Sequence, residues 1–245
     1  MKLVVDVETN GFLDKLDTVH CIVCKDIETG KVYEFNPDNL DAGLQLIKKA
    51  TLLIGHSILG FDIPALNKVF GKKFEYEGAV LDTLLCSRLI FANRTELDFK
   101  YKQLPPKLYG RHSIEAWGYR LGLRKGNFKE ENTFDVWSQD MTDYCKRDVE
   151  VTYLLYKLIE AENYSKDAIK LEHQFAYWIN KLEIGGVDFD ESSAQNLHSI
   201  LVKRRVDLEE KLSLVFPAWQ KSLGFKTYKR DNKKRGIKAG VPVEQ

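Results

Sequence analysis

Two carboxylates one residue apart interrupt an apolar run near the start of the chain: VVDVETNGF, Val4 to Phe12, carries Asp6 and Glu8. In an extended strand side chains alternate, so Lys2, Val4, Asp6 and Glu8 share one face and the acids meet at its C-terminal end. Carboxylates that close repel, and desolvation raises the cost, unless a proton or a cation neutralises them or the strand end splays into water. Hard divalent cations such as Mg²⁺ or Mn²⁺ suit such oxygen donors. A second acid, Asp62 in GHSILGFDIPAL, stands at the mouth of a helix with Pro64 in the first turn, a placement that also suits a helix cap. Further on, Tyr144, Asp148, Val151, Leu155 and Leu158 step by four, three, four and three, which puts an acid and a phenol on the apolar stripe of a helix. A carboxylate there must be paired, hydrogen-bonded or metal-bound. Asp82 in VLDTLL reads instead as a helix cap or a structural acid at a sheet end.

These residues need elements to carry them. Residues 2–7, 18–26 and 31–35 read as strands joined by turn-rich links, TNGFLDKLD and IETG, short enough for an antiparallel meander. Helical spacing follows in NLDAGLQLIKKA, then a strand in TLLIGH, a helix in DIPALNKVF, and a short strand running into a helix in GAVLDTLLCSRLIF. That order predicts parallel pairing and an α/β layer structure. SIEAWGYRL reads as a helix, the stretch before it, with Pro105 and Pro106, as a long loop, and Met141 to Ile159 as the helix of the Tyr144–Asp148 stripe. The pattern resets near Asn163, and two long helices are expected at 168–182 and 192–214. From Trp219 the chain is polar, basic and without a capping element, which reads as truncated.

The composition, 245 residues with 44% hydrophobic, is that of one large globular domain or one domain plus an appendage. MKLVVDVET matches neither a signal peptide nor a membrane span, so an intracellular, cytoplasmic protein is expected. Cys21, Cys24, Cys86 and Cys145 lack the spacing of a zinc site and read as buried reduced thiols, with Cys21 and Cys24 on opposite faces of their strand. The formal net charge is +1, yet Arg88 to Lys129 holds ten Lys/Arg against three Asp/Glu, interleaved with Phe91, Phe99, Tyr101, Tyr109, Trp117, Tyr119 and Phe128. Basic charge with aromatics suits single-stranded nucleic acid; a solvated loop over core aromatics is the competing reading. KTYKRDNKKRGIK adds a second basic run.

As a set, DVETNG, GHSILGFD and YCKRD resemble the three motifs of the DnaQ-like, or DEDD, 3′–5′ exonucleases of the ribonuclease H-like fold. Tyr144 lies four residues before Asp148 with no His between Ser138 and Arg147, the pattern of the tyrosine subtype, DEDDy. VLDTLLCSRLIF, GRHSIEAWGYRLG and LEHQFAYWINKLEIGGVDFD resemble the proofreading domain and following linker helices of phage family A DNA polymerases. Neither the HDE of a polymerase palm nor an R-x-x-x-K fingers helix is present, so an exonuclease domain at 1–163 is expected, followed at 164–245 by the helical beginning of a polymerase domain.

The resemblance implies an α/β ribonuclease H-like mixed sheet, a three-strand antiparallel meander plus parallel strands, flanked by helices and followed by a helical extension. It implies two divalent ions, Mg²⁺ or Mn²⁺, with Asp6 bridging both, Glu8 and Asp148 completing the first site and Asp62 holding the second. Tyr144 would orient the attacking water, and 5′-mononucleotides would leave the 3′ end of single-stranded DNA. Thr9 and Asn10 would line the slot for the terminal sugar and Phe61 would wedge or stack there. Ser57 stands where the family usually has Asn, and its hydroxyl reaches less far. The implied partner is a polymerase domain or subunit, without a membrane, in the host cytoplasm for a phage-encoded protein. Two alternatives stay open: a single-strand-binding module that no longer cuts, and an exoribonuclease like the ribonuclease D group.

Overall fold

The structure, a computed structural model, describes residues 1–123, 134–216, 225–228, 238 and 240–244. The chain divides into two compact units, Met1–Gly186 and Val187–Gln245.

In the first unit, strands β1 (Lys2–Thr9), β2 (Val19–Asp26) and β3 (Val32–Phe35) form the expected antiparallel meander. Helix α1 (Leu40–Lys48) carries the chain across to β4 (Leu52–Gly55), which pairs parallel to β1 on its far side. Helix α2 (Asp62–Phe70) then leads to β5 (Ala79–Asp82), parallel to β4, and the order is β3-β2-β1-β4-β5. β1 is therefore the central strand, buried from both faces. Leu3, Val5, Val7, Ile22 and Cys24 point to the side covered by Leu44, Ile47 and Leu66 of α1 and α2. Val4, Cys21, Val23 and Ile54 point to the other, against Met141, Tyr144, Cys145 and Val149. Cys21 and Cys24 thus do lie on opposite faces, and all four cysteines are buried free thiols.

Those latter residues belong to a 23-residue helix, Gln139–Ala161. Its start is set by Ser138, whose hydroxyl accepts the Met141 N–H at 3.2 Å, a side-chain cap that supplies one of the orphan donors. Before it come α3 (Thr83–Ile90), a short α4 (Arg94–Asp98) and α5 (Ile114–Arg120), so the long helix is α6. Its second half, Val151, Leu155 and Ile159, packs with Cys86 and Trp117 of α3 and α5.

The stretch expected as a long loop contains α4 because Asp98 is buried there as a counterion. Arg120 Nε and Nη2 donate to its two oxygens at 3.0 and 2.6 Å, and Arg94 and Arg120 lie over the Trp117 ring at 5.2 and 4.8 Å. Part of the basic, aromatic stretch is therefore internal scaffolding; Lys100, Lys102 and Arg111 remain exposed with Phe99. Arg124, Lys125, Phe128 and Lys129 lie outside the described residues.

Asn163 has a φ of 46° at the turn from α6 into α7 (Lys166–Gly185). Ile169, His173, Ala176, Ile179 and Asn180 are half-buried along one face of α7, which packs on α3, so this helix belongs to the first compact unit. The second unit holds α8 (Glu191–Val215), capped by Asp190 accepting the Ser193 N–H, and an antiparallel pair, β6 (Phe225–Thr227) with β7 (Pro242–Glu244). Most of the second basic run lies outside the described residues. Among the described residues no helix is long and apolar enough to cross a membrane.

Candidate active site

The site begins where the sheet ends unevenly. β1 pairs with β4 only as far as Val4 opposite Ile54, and then runs on alone on that side through Val5 to Thr9. On its other side it stays paired to β2, with an irregularity between Glu8 and Thr9. Asp6 and Glu8 are half-buried on this overhang, on the face that α6 covers. One carboxylate oxygen of each and the Cys145 Sγ lie within 4.8 Å of one another.

Asp62 reaches the overhang from the opposite side. The cap position of α2 is taken by Phe61, without a side-chain cap, so capping is not the work of Asp62. Its Oδ1 accepts the Val7 N–H at 3.2 Å, a donor that β4 is too short to pair. Asp62 is 4% exposed. Burial, then the neighbouring Asp6 charge, holds its carboxyl well above the usual carboxylate range.

Helix α6 delivers the third group. Tyr144 and Asp148, one turn apart, are both buried, and the phenol is hydrogen-bonded to Asp148. Burial first, then the charges of Asp148, Glu8 and Asp6, pushes the Tyr144 hydroxyl far above its ordinary range, so it remains a donor at neutral pH. Asp6, Glu8, Asp62, Tyr144 and Asp148 are thus brought together around one strand end. Cys145 joins them unforeseen. Its Sγ donates to the main-chain oxygen and to Oδ2 of Asp6, each at 3.3 Å, and burial pushes the thiol up so that it keeps its proton. The available signal was its place three residues before Asp148, on the same side of the helix.

The loop from β4 to α2 leads directly into Asp62. Gly55 ends β4 without a side chain because a Cβ there would meet the Ile58 side chain at 2.6 Å. Ser57 is half-buried with a φ of 67°, in the left-handed region that side-chain-bearing residues seldom adopt. Asp82 is the side-chain cap of α3, accepting the Leu84 and Leu85 N–H groups, and it also accepts those of Ser57 and Leu59. Its reading as a structural acid therefore holds. Thr9 donates its hydroxyl to Gly11 O at 2.8 Å. The Asn10 carboxamide is engaged with Asp17 and Thr18, closing the loop after β1 rather than reaching out from it. Phe61 is half-buried at the start of α2.

The donor set fits hard divalent cations. Four carboxylates lie on the elements around the overhang, and one of them, Asp62, is held protonation-prone first by burial and then by the Asp6 charge, a cost that a bound cation offsets. Asp6, Glu8, Asp62 and Asp148 are the residues able to hold such ions.

No protein-family model matches the chain. It is 30% identical, over 91% of its length, to the DNA-directed DNA polymerases of Enterobacteria phage T3 and of Escherichia phage T7. The chain spans 38% of the length of each. Among solved structures it superposes on Brucella melitensis NrnC with bound Mg²⁺ at a TM-score of 0.51, with 19% identity, covering 78% of this chain and 89% of that one. The chain thus has a ribonuclease H-like fold and, in sequence, resembles the phage DNA polymerases along nine-tenths of its length.

Proposed function

We propose that the first compact unit is a 3′–5′ exonuclease that hydrolyses the terminal phosphodiester of single-stranded DNA and releases 5′-mononucleotides. The observation that carries the reading is the clustering of Asp6 and Glu8 on the β1 overhang, with Asp62 hydrogen-bonded to the same strand and the Tyr144–Asp148 pair of α6 electrostatically coupled to both acids. Two divalent ions, Mg²⁺ or Mn²⁺, would supply charge neutralisation and Lewis-acid polarisation of the phosphate when bound. Asp6, on the central strand, would hold them together with Glu8, Asp148 and Asp62. Tyr144, kept protonated, would orient the attacking water and cannot act as its base.

Ser57 and Phe61, on the segment that leads into Asp62, would meet the 3′ terminus, while Thr9 and Asn10 shape the loop after β1. Exposed Lys100, Lys102 and Arg111, beside exposed Phe99, offer a track for phosphates and a surface for base stacking. Similarity to phage polymerases supports a proofreading role in DNA replication, with a polymerase domain or subunit handing over the primer end.

The test uses 5′-labelled single-stranded DNA and a matched RNA with Mg²⁺, Mn²⁺ or EDTA. A shortening ladder on DNA with either ion, none with EDTA, and none from Asp6→Ala or Asp148→Ala variants that melt like wild type is expected. Digestion by either variant overturns the reading. Binding without cleavage identifies a binding module, and a preference for the RNA identifies an exoribonuclease.

A further inference from the structure

The loop carrying Ser57, and leading into Asp62, is held from a direction that none of the acids explains. Ser57 sits in a left-handed backbone conformation, which persists only where the surroundings over-determine it. Part of that restraint is Asp82, whose Oδ1 and Oδ2 accept the Ser57 and Leu59 N–H groups at 2.9 and 3.2 Å. Asp82 ends β5, the edge strand, so its own N–H has no further strand to pair with. It donates instead to His173 Nε2 at 2.7 Å. Because Nε2 accepts, the ring proton sits on Nδ1 and is donated to Ile169 O at 2.8 Å, one turn back along α7. That fixes both tautomer and ring direction. Two turns on, Asn180 Nδ2 donates to Leu59 O at 3.0 Å. Leu59 is therefore gripped at both ends of its backbone, its N–H by Asp82 and its carbonyl by α7.

We propose that α7 is a positioning clamp for the second acidic motif: His173, through Asp82, and Asn180, through Leu59, hold the loop that sets Ser57 and Asp62 against β1. The helix that follows the catalytic fold is thereby part of its active-site architecture, and drawing it away loosens the site. The kinetic consequence rests on the exonuclease reading; the structural one does not.

The experiment uses the full chain. His173→Leu removes the acceptor, His173→Gln returns one in its Oε1, Asn180→Leu removes the donor, and Lys170→Ala, on the exposed side of α7, serves as control. The rate of nucleotide release and its Mg²⁺ dependence are measured beside amide hydrogen exchange at Ser57 to Phe61. Each Leu variant is expected to lower kcat about 10-fold and to raise the Mg²⁺ needed for half the maximal rate, on the scale of lost outer-shell partners. Exchange at Ser57 to Phe61 should rise at least about 10-fold in both, with Gln recovering most of each effect and the control none. Unchanged exchange in variants that melt like wild type overturns the clamp, as does an equal loss in His173→Leu and His173→Gln that merely follows melting temperature. Should the His173 variants not fold, the exchange in Asn180→Leu decides alone. A wild-type chain that releases no nucleotide overturns the exonuclease reading, and the exchange data still decide the clamp.

Discussion

At the scale of single residues, the site separates groups that bind charge from groups that aim them. The Cys145 thiol donates to Oδ2 of Asp6 and so fixes the direction of that carboxylate beside Glu8. A Cys145→Ala variant is therefore expected to need about 10-fold more Mg²⁺ for half-maximal rate, as for loss of an outer-shell hydrogen bond, while Cys145→Ser keeps a donor and recovers part of it. A Mg²⁺ titration of the rate, or of the melting temperature, measures this. Tyr144 belongs to the aiming groups as well. Tyr144→Phe should slow hydrolysis by roughly 10- to 1,000-fold, the range for one positioning or electrostatic group, with KM and melting temperature near wild type. An unchanged single-turnover rate would remove Tyr144 from the mechanism. The pairing of Asp6 with Glu8 and of Tyr144 with Asp148 was readable because period-two and period-3.6 spacing bring each pair onto one face, whereas Asp62 joined them only through the resemblance. Cys145 was not readable, because a thiol in an apolar stripe reads the same whether it touches a carboxylate or a valine.

At the scale of elements, the second motif stores its tension in one residue. Ser57 occupies backbone space that Gly, Asn and Asp visit more readily than Ser, and Asn is the residue that the sequence resemblance led one to expect there. Ser57→Asn is expected to melt at or above the wild-type temperature. Its longer side chain should also add one hydrogen bond to the substrate terminus, about 1 kcal/mol, or roughly a fivefold lower KM for the oligonucleotide. A lower melting temperature with unchanged KM would place the strain elsewhere. Strand and helix order was legible from turn chemistry and periodicity, including the switch from antiparallel to parallel pairing. The partners of Asp62 and Asp98 were not. Asp62 at a helix start is chemically indistinguishable from a cap until Phe61 is seen in that position and Val7 is seen unpaired. Arg94 and Arg120 count as basic surface until Asp98 is found buried between them.

At the scale of the molecule, the compact division after Gly186 and the turn at Asn163 make separable statements. A chain of residues 1–186 is expected to unfold cooperatively and to retain near-wild-type hydrolysis. A chain of residues 1–163 lacks α7 and both its hydrogen bonds, and its rate should fall by about 100-fold, two outer-shell losses combined. Comparing the two by urea denaturation and by nucleotide release separates folding from positioning. Equal rates would show that α7 contributes nothing to the site. His173 and Asp82 stand ninety-one positions apart, so no local pattern in the sequence could have joined them.

The short reach of β4 has one more effect. It leaves the Val7 amide proton outside the strand ladder and on the carboxylate of Asp62, in the middle of the most protected strand of the sheet. A cation bound by Asp62 withdraws charge from that carboxylate and so weakens the bond its Oδ1 accepts. The chemical shift of a single backbone proton is thus a built-in gauge of site occupancy, readable in the resting protein, with no nucleic acid present and no bond being cut.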